Sequence, residues 1–509
     1  MLRLNLPTSD HGALPPRVLV RGGLCLGERG EAQRVSILIG GDTIEALIPQ
    51  VSNLPDDCQV IEAEDFAIIP GLVNAHTHGH GGLSKGSGDR WTLELLLNAG
   101  GWLGGNRSDD DRYVSTLLAA VEMLQKGCTA CFDLSVAVPL PTADGMAAAA
   151  QAYLDAGMRA VVAPMVGDIH FYRALPGLLD AADAGMRKDM ERAAGTAGVS
   201  MLPTLEQIAS KWPFSSDQVR LGMAPTIPLH STDEFMVGCH HIAREHGLAL
   251  QTHLAESKTQ AIASRSRFGR SITSHLVELG VIDDKFSGAH GVWLDNDDMQ
   301  SLGERGAAVA HNPGSNLRLG SGIADVCAML AKGITVGVGT DGGASADGQN
   351  MFEATRLCCN LSRVKGPTAD QWLDAIASHR LSTAGGAKVL GMQDQIGKIA
   401  PGYKADLVFL SLDHVNYVPL NNLVHQLVHV EDGAAVRHVM VGGRIVVQDR
   451  NILTVNVDAL RQKSAAAAER LRSANAEIRA VAERLAPFIG RFCAGLSCRC
   501  ATPATRGIS

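Results

Sequence analysis

The chain has 509 residues, 46% of them hydrophobic and 19% charged, with a formal net charge of −8. It is too long for one small domain and long enough for a barrel with an accessory unit, and its acidic balance offers no electrostatic footprint for nucleic acid. No apolar run is long enough to cross a bilayer, the start Met1-Leu2-Arg3-Leu4-Asn5-Leu6-Pro7 has no secretory apolar core, and eleven cysteines without framework spacing read as reduced thiols of a cytoplasmic protein.

Residues 1–65 hold short strand-like runs at 17–21, 36–39 and 45–48, separated by turns. From 66 to 390 the pattern changes. Runs rich in Val, Ile, Leu and Ala at 67–74, 129–134, 160–165, 220–224, 249–252, 287–289, 307–310 and 335–339 predict strands. Helical patterns lie between them, at 112–126, 146–155, 232–246, 272–279 and 322–332, and Ser231 with Glu234 reads as a capping box. Short strands return within 391–455 (406–409, 436–441 and 444–448). Residues 456–490 are rich in Ala, Arg and Glu and read as helical, and 491–509, with Cys493, Cys498 and Cys500, as a disordered tail. Eight alternating strands and helices predict an α/β (β/α)8 TIM barrel, with both flanks joined in a small β-sandwich. A doubly wound sheet is the competitor, but it would gather polar residues at one switch point, and here several separate strand ends carry them.

The first barrel strand ends Asn74-Ala75-His76-Thr77-His78. Alternate strand residues share a face, so His76 and His78 can aim two imidazoles at one point. The fifth ends Thr252-His253-Leu254-Ala255-Glu256, the sixth Ala289-His290-Gly291 and the eighth Thr340-Asp341-Gly342. In a barrel these ends converge on one face. His76, His78, His253 and Asp341 then make a shell of three imidazoles and one carboxylate, an open catalytic site for zinc, with iron as the alternative. Taken singly, a histidine at a strand end is a hydrogen-bonded surface or core residue, and an Asp before Gly-Gly is a turn former. The joint pattern outweighs those readings.

Six segments together, 70–78, 252–256, 289–290, 311–317, 339–345 and 402–407, resemble the amidohydrolase superfamily, in the branch of S-adenosylhomocysteine deaminase-like and triazine hydrolase-like enzymes. They fall in order between about residues 20 and 450. The resemblance implies a distorted barrel, a β-sandwich and one divalent metal on His76, His78, His253 and Asp341, with Glu256 and His290 at proton-shuttling positions. No lysine stands in 220–224 to bridge two metals, which favours a mononuclear site.

The chemistry expected is a metal-activated water attacking an amidine-like carbon, with Asp341 as base, Glu256 handing a proton to a ring nitrogen and His290 steadying the developing charge. The alternative for Glu256 is a salt bridge to Lys258. A deaminase of a nitrogen heterocycle is the first reading. An amidohydrolase or dechlorinase acting on an amide, urea or halogenated ring is the second, and a barrel scaffold without catalysis the third. A nucleoside is disfavoured. The nucleoside-acting relatives tend to carry an acid where this chain reads 99–106 without one, and a histidine between two prolines where it has Thr226. His80, Trp102, His230 and Asn316 are the candidate substrate contacts, while His240 and His241 fall within a helix. The partner expected is a small molecule, with no nucleic acid and no membrane, and a homo-oligomer is left open.

Overall fold

Both ends of the chain build the flanking sheet. The computed structural model describes residues 17–49, 58–136, 140–194, 201–346 and 348–499, so the predicted tail beyond 499 lies outside the described residues. From the N-terminal side come β1 (Arg17–Leu26), β2 (Ala32–Gly40), β3 (Thr43–Ile48), β4 (Cys58–Glu62) and β5 (Phe66–Pro70). Ten further strands follow: β6 (Leu72–His78), β7 (Cys128–Val136), β8 (Arg159–Val166), β9 (Val219–Leu221), β10 (Ala224–Pro225), β11 (Leu250–Leu254), β12 (Phe286–His290), β13 (Ala308–His311), β14 (Thr335–Val338) and β15 (Asp341–Gly342). The C-terminal side adds β16 (Leu407–Ser411), β17 (Val436–Val441), β18 (Arg444–Gln448) and β19 (Asn451–Ile452).

The flanking strands form one sheet in the order β19-β18-β17-β16-β5-β1-β2-β3, with β4 also paired to β1. Its join is the antiparallel pair of β5 and β16, from Leu407 opposite Pro70 to Ser411 opposite Phe66. Parallel pairing links β15, β6, β7, β8 and β10, with β9 also on β8, and separately β11 through β14. The barrel closes where Met223 bridges Leu250 and where β15 returns to β6, Asp341 opposite Thr77. Inside, apolar side chains fill the barrel, among them Val73, Ala75, Phe132, Leu134, Val161 and Ala310.

Several sequence expectations change. The predicted strand 67–74 is two strands in two sheets, parted at Gly71. A Cβ there would lie 2.1 Å from the Thr129 hydroxyl, so only glycine lets the chain cross between the sheets. The predicted fourth strand is broken in two, while the predicted eighth is β14, with the short β15 a separate strand beyond it. Thr232, not Ser231, caps its helix, accepting the Phe235 N–H at 3.2 Å while donating to Asp168. The segment 322–332 is helical only over Val326–Ala331, because Asp325 caps it late. Residues 456–490 are two helices, Val457–Ala474 and Ala476–Arg499. The second runs through the start of the predicted tail, because Leu485, Ile489 and Cys493 bury one face against the barrel. No helix among the described residues is long and apolar enough to cross a membrane.

A buried ion pair fastens the two sheets. Arg159 Nε at the start of β8 donates to Asp406 Oδ2 at 2.9 Å, both side chains almost fully buried. Asp406 also accepts the Gly442 N–H at 2.7 Å. Burial works against the Arg159 charge, but Asp406 outweighs it and leaves the guanidinium pKa raised.

Candidate metal centre

The histidines of β6 do not face inward by alternation alone. Val73 and Ala75 pack in the barrel interior, and a period of two would send His76 outward. The β6–β7 register slips between Asn74 and Thr77, and after this bulge His76 and His78 both turn to the mouth, ring centroids 4.8 Å apart. Asn74 secures the bulge by accepting the Thr340 N–H at 3.0 Å and donating to the Thr340 hydroxyl at 2.6 Å.

Each imidazole is pinned through Nδ1. His76 donates to Gln251 Oε1 at 2.7 Å, His78 to the Leu134 carbonyl at 2.8 Å and His253 to the Thr226 carbonyl at 2.6 Å. Gln251 holds its own orientation by donating to Ala75 O and Ser287 Oγ. With Nδ1 protonated, every Nε2 of the neutral rings presents a lone pair to the centre. His78 and His253 Nε2 stand 3.2 Å apart, two acceptors facing each other, and Asp341 Oδ1 lies 3.2 Å from His78 Nε2 and 3.5 Å from His76 Nε2. His76 Nε2 is buried with no hydrogen-bond partner. Converging lone pairs and an anionic oxygen repel one another unless a cation sits among them, so this donor set fits a divalent metal. Two overlapping trios, His76–His78–Asp341 and His76–His253–His290, each have their ligand atoms within 4.8 Å.

Backbone strain marks the same place. Ala255, His290 and Asp341 have φ of +48°, +75° and +60°, which places three non-glycine residues in the left-handed region at the ends of β11, β12 and β14. The Gly342 N–H holds one Asp341 oxygen at 2.7 Å.

Electrostatics separate the carboxylates. Burial would raise Asp341, but in the absence of a cation any proton on the facing His76 and His78 nitrogens, and positive charge on His78 and His290, favours the carboxylate and holds it well below the usual range. Glu256 is raised well above its usual value by burial, then by the charges of Asp341 and Glu94. Its Oε2 faces His290 Nε2 at 3.7 Å, and Lys258 lies over Trp293 instead, so the salt-bridge alternative is not what forms. His290 donates through Nδ1 to Asn316 Oδ1 at 2.9 Å and is pushed down to about 4 by burial.

The other candidates divide. His80 sits on the turn Gly79–Ser84, its ring 5.3 Å from that of His78 and its Nδ1 accepting the Val136 N–H. Asn316 is buried against His290, with Nδ2 unpartnered. His230 is buried 6.2 Å from Phe171, and burial takes it down to about 3. Trp102 belongs to the helix Leu93–Gly104, with the Arg479 guanidinium 5.0 Å over its ring and Trp91 edge-on at 6.3 Å. His240 and His241 pair with Asp283 and Glu245 away from the centre. Sequence reasoning missed Asp133, Gln251 and Glu94. Asp133 accepts the Gly79 N–H and the Tyr153 hydroxyl behind His78, and burial lifts it to about 6. Its place on a strand beside the first histidine strand is the one signal that could have raised it.

A barrel with imidazoles and a carboxylate converging at its strand ends, flanked by a sheet from both chain ends, is the architecture of a metal-dependent hydrolase. The model of the amidohydrolase family matches residues 67–446. The chain belongs to that family. It is 32% identical over 447 residues to a 5-methylthioadenosine/S-adenosylhomocysteine deaminase of Syntrophobacter fumaroxidans, covering 86% of this chain and 93% of that one. An adenosine deaminase of Xanthomonas campestris with bound zinc shares the fold at a TM-score of 0.79 and 24% identity, covering 91% of this chain and 100% of the other. The atrazine chlorohydrolase of Arthrobacter aurescens, complexed with zinc, does so at 0.76 and 24%, covering 89% and 100%.

Proposed function

We propose that this enzyme deaminates a cyclic amidine within a nitrogen heterocycle, using a water molecule as nucleophile. The observation that carries the reading is Glu256, a buried carboxyl whose Oε2 faces His290 Nε2 at 3.7 Å beside the histidine cluster, with its pKa raised by burial. His76, His78, His253 and Asp341 are the residues that would hold a single divalent ion, zinc or alternatively iron. Such an ion, when bound, brings the pKa of a water toward neutrality.

The chain's own groups supply the proton traffic. Asp341, held deprotonated, takes the proton of the attacking water. Glu256 gives its proton to the ring nitrogen beside the attacked carbon, so the ring accepts the new bond without building negative charge. His290, neutral and fixed by Asn316, leaves Nε2 free to orient the water and receive hydrogen bonds from Glu256. Asp341 then returns its proton to the amino group while the new hydroxyl gives its proton to Glu256, so ammonia leaves, a carbonyl remains in the ring and both carboxyls are reset.

The reading takes a free ring rather than a nucleoside as substrate. Thr226 stands where nucleoside-acting relatives tend to have a histidine, and 99–106 carries no acid. Gly105 O and the Asn106 side chain are bound to Asn475. The name of the Syntrophobacter relative makes adenine nucleosides the competing class.

The test is ammonia release by the metal-loaded enzyme across aminated purines, pyrimidines, pterins and triazines, with their nucleosides alongside. Ammonia from a free ring is expected. Chloride release from a halogenated ring without any ammonia release would overturn deamination, and preference for a nucleoside would overturn the free-ring reading.

A further inference from the structure

Glu94 is a buried carboxylate that the reaction above leaves unused. It lies in the first turn of the helix Leu93–Gly104, and its Oε1 accepts the Ser257 hydroxyl at 2.7 Å. Ser257 follows Glu256 directly and caps the helix Lys258–Phe268, its Oγ accepting the Gln260 N–H at 3.2 Å. Gln260 answers by accepting the Glu256 N–H at 2.9 Å. A serine hydroxyl has one proton and two lone pairs. Giving that proton to Glu94 directs a lone pair at Gln260, so one carboxylate sets the geometry of the whole turn that carries Glu256. The positive end of the helix behind Ser257 compensates the buried charge.

On its far side Glu94 meets the helix Ala476–Arg499, where its charge adds to burial in lifting the Cys493 thiol to about 12. That helix is fastened to the same segments. Asn98 Nδ2 donates to Ala482 O at 2.8 Å, and the Tyr172 hydroxyl donates to Asn98 Oδ1 at 2.9 Å. The Thr259 and Ser497 hydroxyls are 3.3 Å apart. Leu485 and Ile489 pack with Phe171, Leu178, Leu229 and Ala263, residues from segments that follow β8, β10 and β11 at the catalytic end of the barrel.

We propose that Glu94 is a positioning residue that fixes the Glu256–Ser257 turn for proton delivery, and that the helix Ala476–Arg499 holds Glu94 there, which makes the last helix part of the catalytic apparatus. The proposal rests on the reading of Glu256 as the proton donor. A misplacement of about 1 Å at such a donor costs on the order of a hundredfold in rate, and nothing else in the turn replaces the acceptor that Glu94 provides.

The test compares full-length, metal-loaded Glu94→Ala, Glu94→Gln and Ile489→Asp by steady-state kinetics and by amide hydrogen exchange. Glu94→Ala should lower kcat by about tenfold or more with little change in KM or bound metal, and should speed exchange across 257–261. Glu94→Gln should restore most of both, since its amide oxygen still accepts the Ser257 hydroxyl. Ile489→Asp, on the apolar face by which the last helix packs on the barrel, should reproduce the faster exchange at 257–261. Unchanged kcat and exchange in Glu94→Ala, or a change confined to KM, would overturn the proposal, the latter by making Glu94 a substrate contact. Exchange needs no substrate. If the wild-type protein released no ammonia from any compound, the deaminase reading would fail while exchange still decided whether Glu94 holds the turn.

Discussion

Glu256 and Asp341 are both buried carboxyls, yet their neighbours drive them in opposite directions. Asp341 has imidazoles within 3.5 Å; Glu256 has the charges of Asp341 and Glu94. Glu256→Gln should cut kcat by about 10²–10⁴-fold, the range of a lost general acid, and leave bound metal unchanged. The same residue leaves a mark on stability. Its folded pKa stands above the ordinary 4.5, so the native state binds the proton more tightly than the unfolded chain does. Its contribution is therefore full below about pH 4.5 and lost as pH rises through the raised value. Melting midpoints of Glu256→Gln across this range should lack that decline. At this scale the sequence was informative wherever a ligand-type side chain stood at a strand end, as with His253 and Asp341. It was mute on Gln251, whose task is set by a contact with His76, 175 positions away, and on Glu94, one acid in an ordinary helical pattern.

Among the elements, the bulge in β6 does most to create the centre. An HxH pair on a strand promises two imidazoles on one face, but the register slip decides which face. Nothing in the spacing announces it, because it depends on how β6 meets β7 and on Thr340 reaching Asn74. The crossing at Gly339 is equally tight, since a Cβ there would stand 2.3 Å from Asn312 Oδ1 and 2.9 Å from the His76 backbone. Gly339→Ala should therefore push β14 away from β6 and weaken metal binding by about tenfold or more, the scale of a disturbed supporting contact, as measured by competition with a chelator. The strand 67–74 shows a different limit of sequence reading. Its pattern is continuous, but β16, more than 300 residues on, claims its first half. Removing Asp406 should expose how much that junction matters. Asp406→Ala leaves the Arg159 charge buried without its carboxylate and should cost about 3–5 kcal/mol in denaturant unfolding.

Across the whole molecule, histidines outside the centre are kept neutral by burial. His379 and His438 are taken down to about 4 and His230 to about 3. A histidine with a depressed folded pKa contributes stability that is present above its ordinary value of 6.5 and is lost as pH falls below it. The protein should therefore lose stability steeply below about pH 6.5, even with the metal centre intact. His379→Leu should flatten that slope by about 3 kcal/mol at most, the size of one such shift, because its Nε2 has no partner to lose. At this scale the alternation of strands and helices revealed the barrel, and the β-rich flanks revealed a shared sheet. The docking of Ala476–Arg499 was hidden because its apolar face reads as weakly amphipathic until the helices it covers are in place.

Metal analysis of the purified chain, by mass spectrometry after reconstitution with zinc or iron and removal of excess, tests the central claim most directly. One ion per wild-type chain, lost in His76→Ala, His253→Ala and Asp341→Ala and kept in Glu256→Gln, is the expected result. No ion in the wild type, two per chain, or loss of the ion in Glu256→Gln would contradict it.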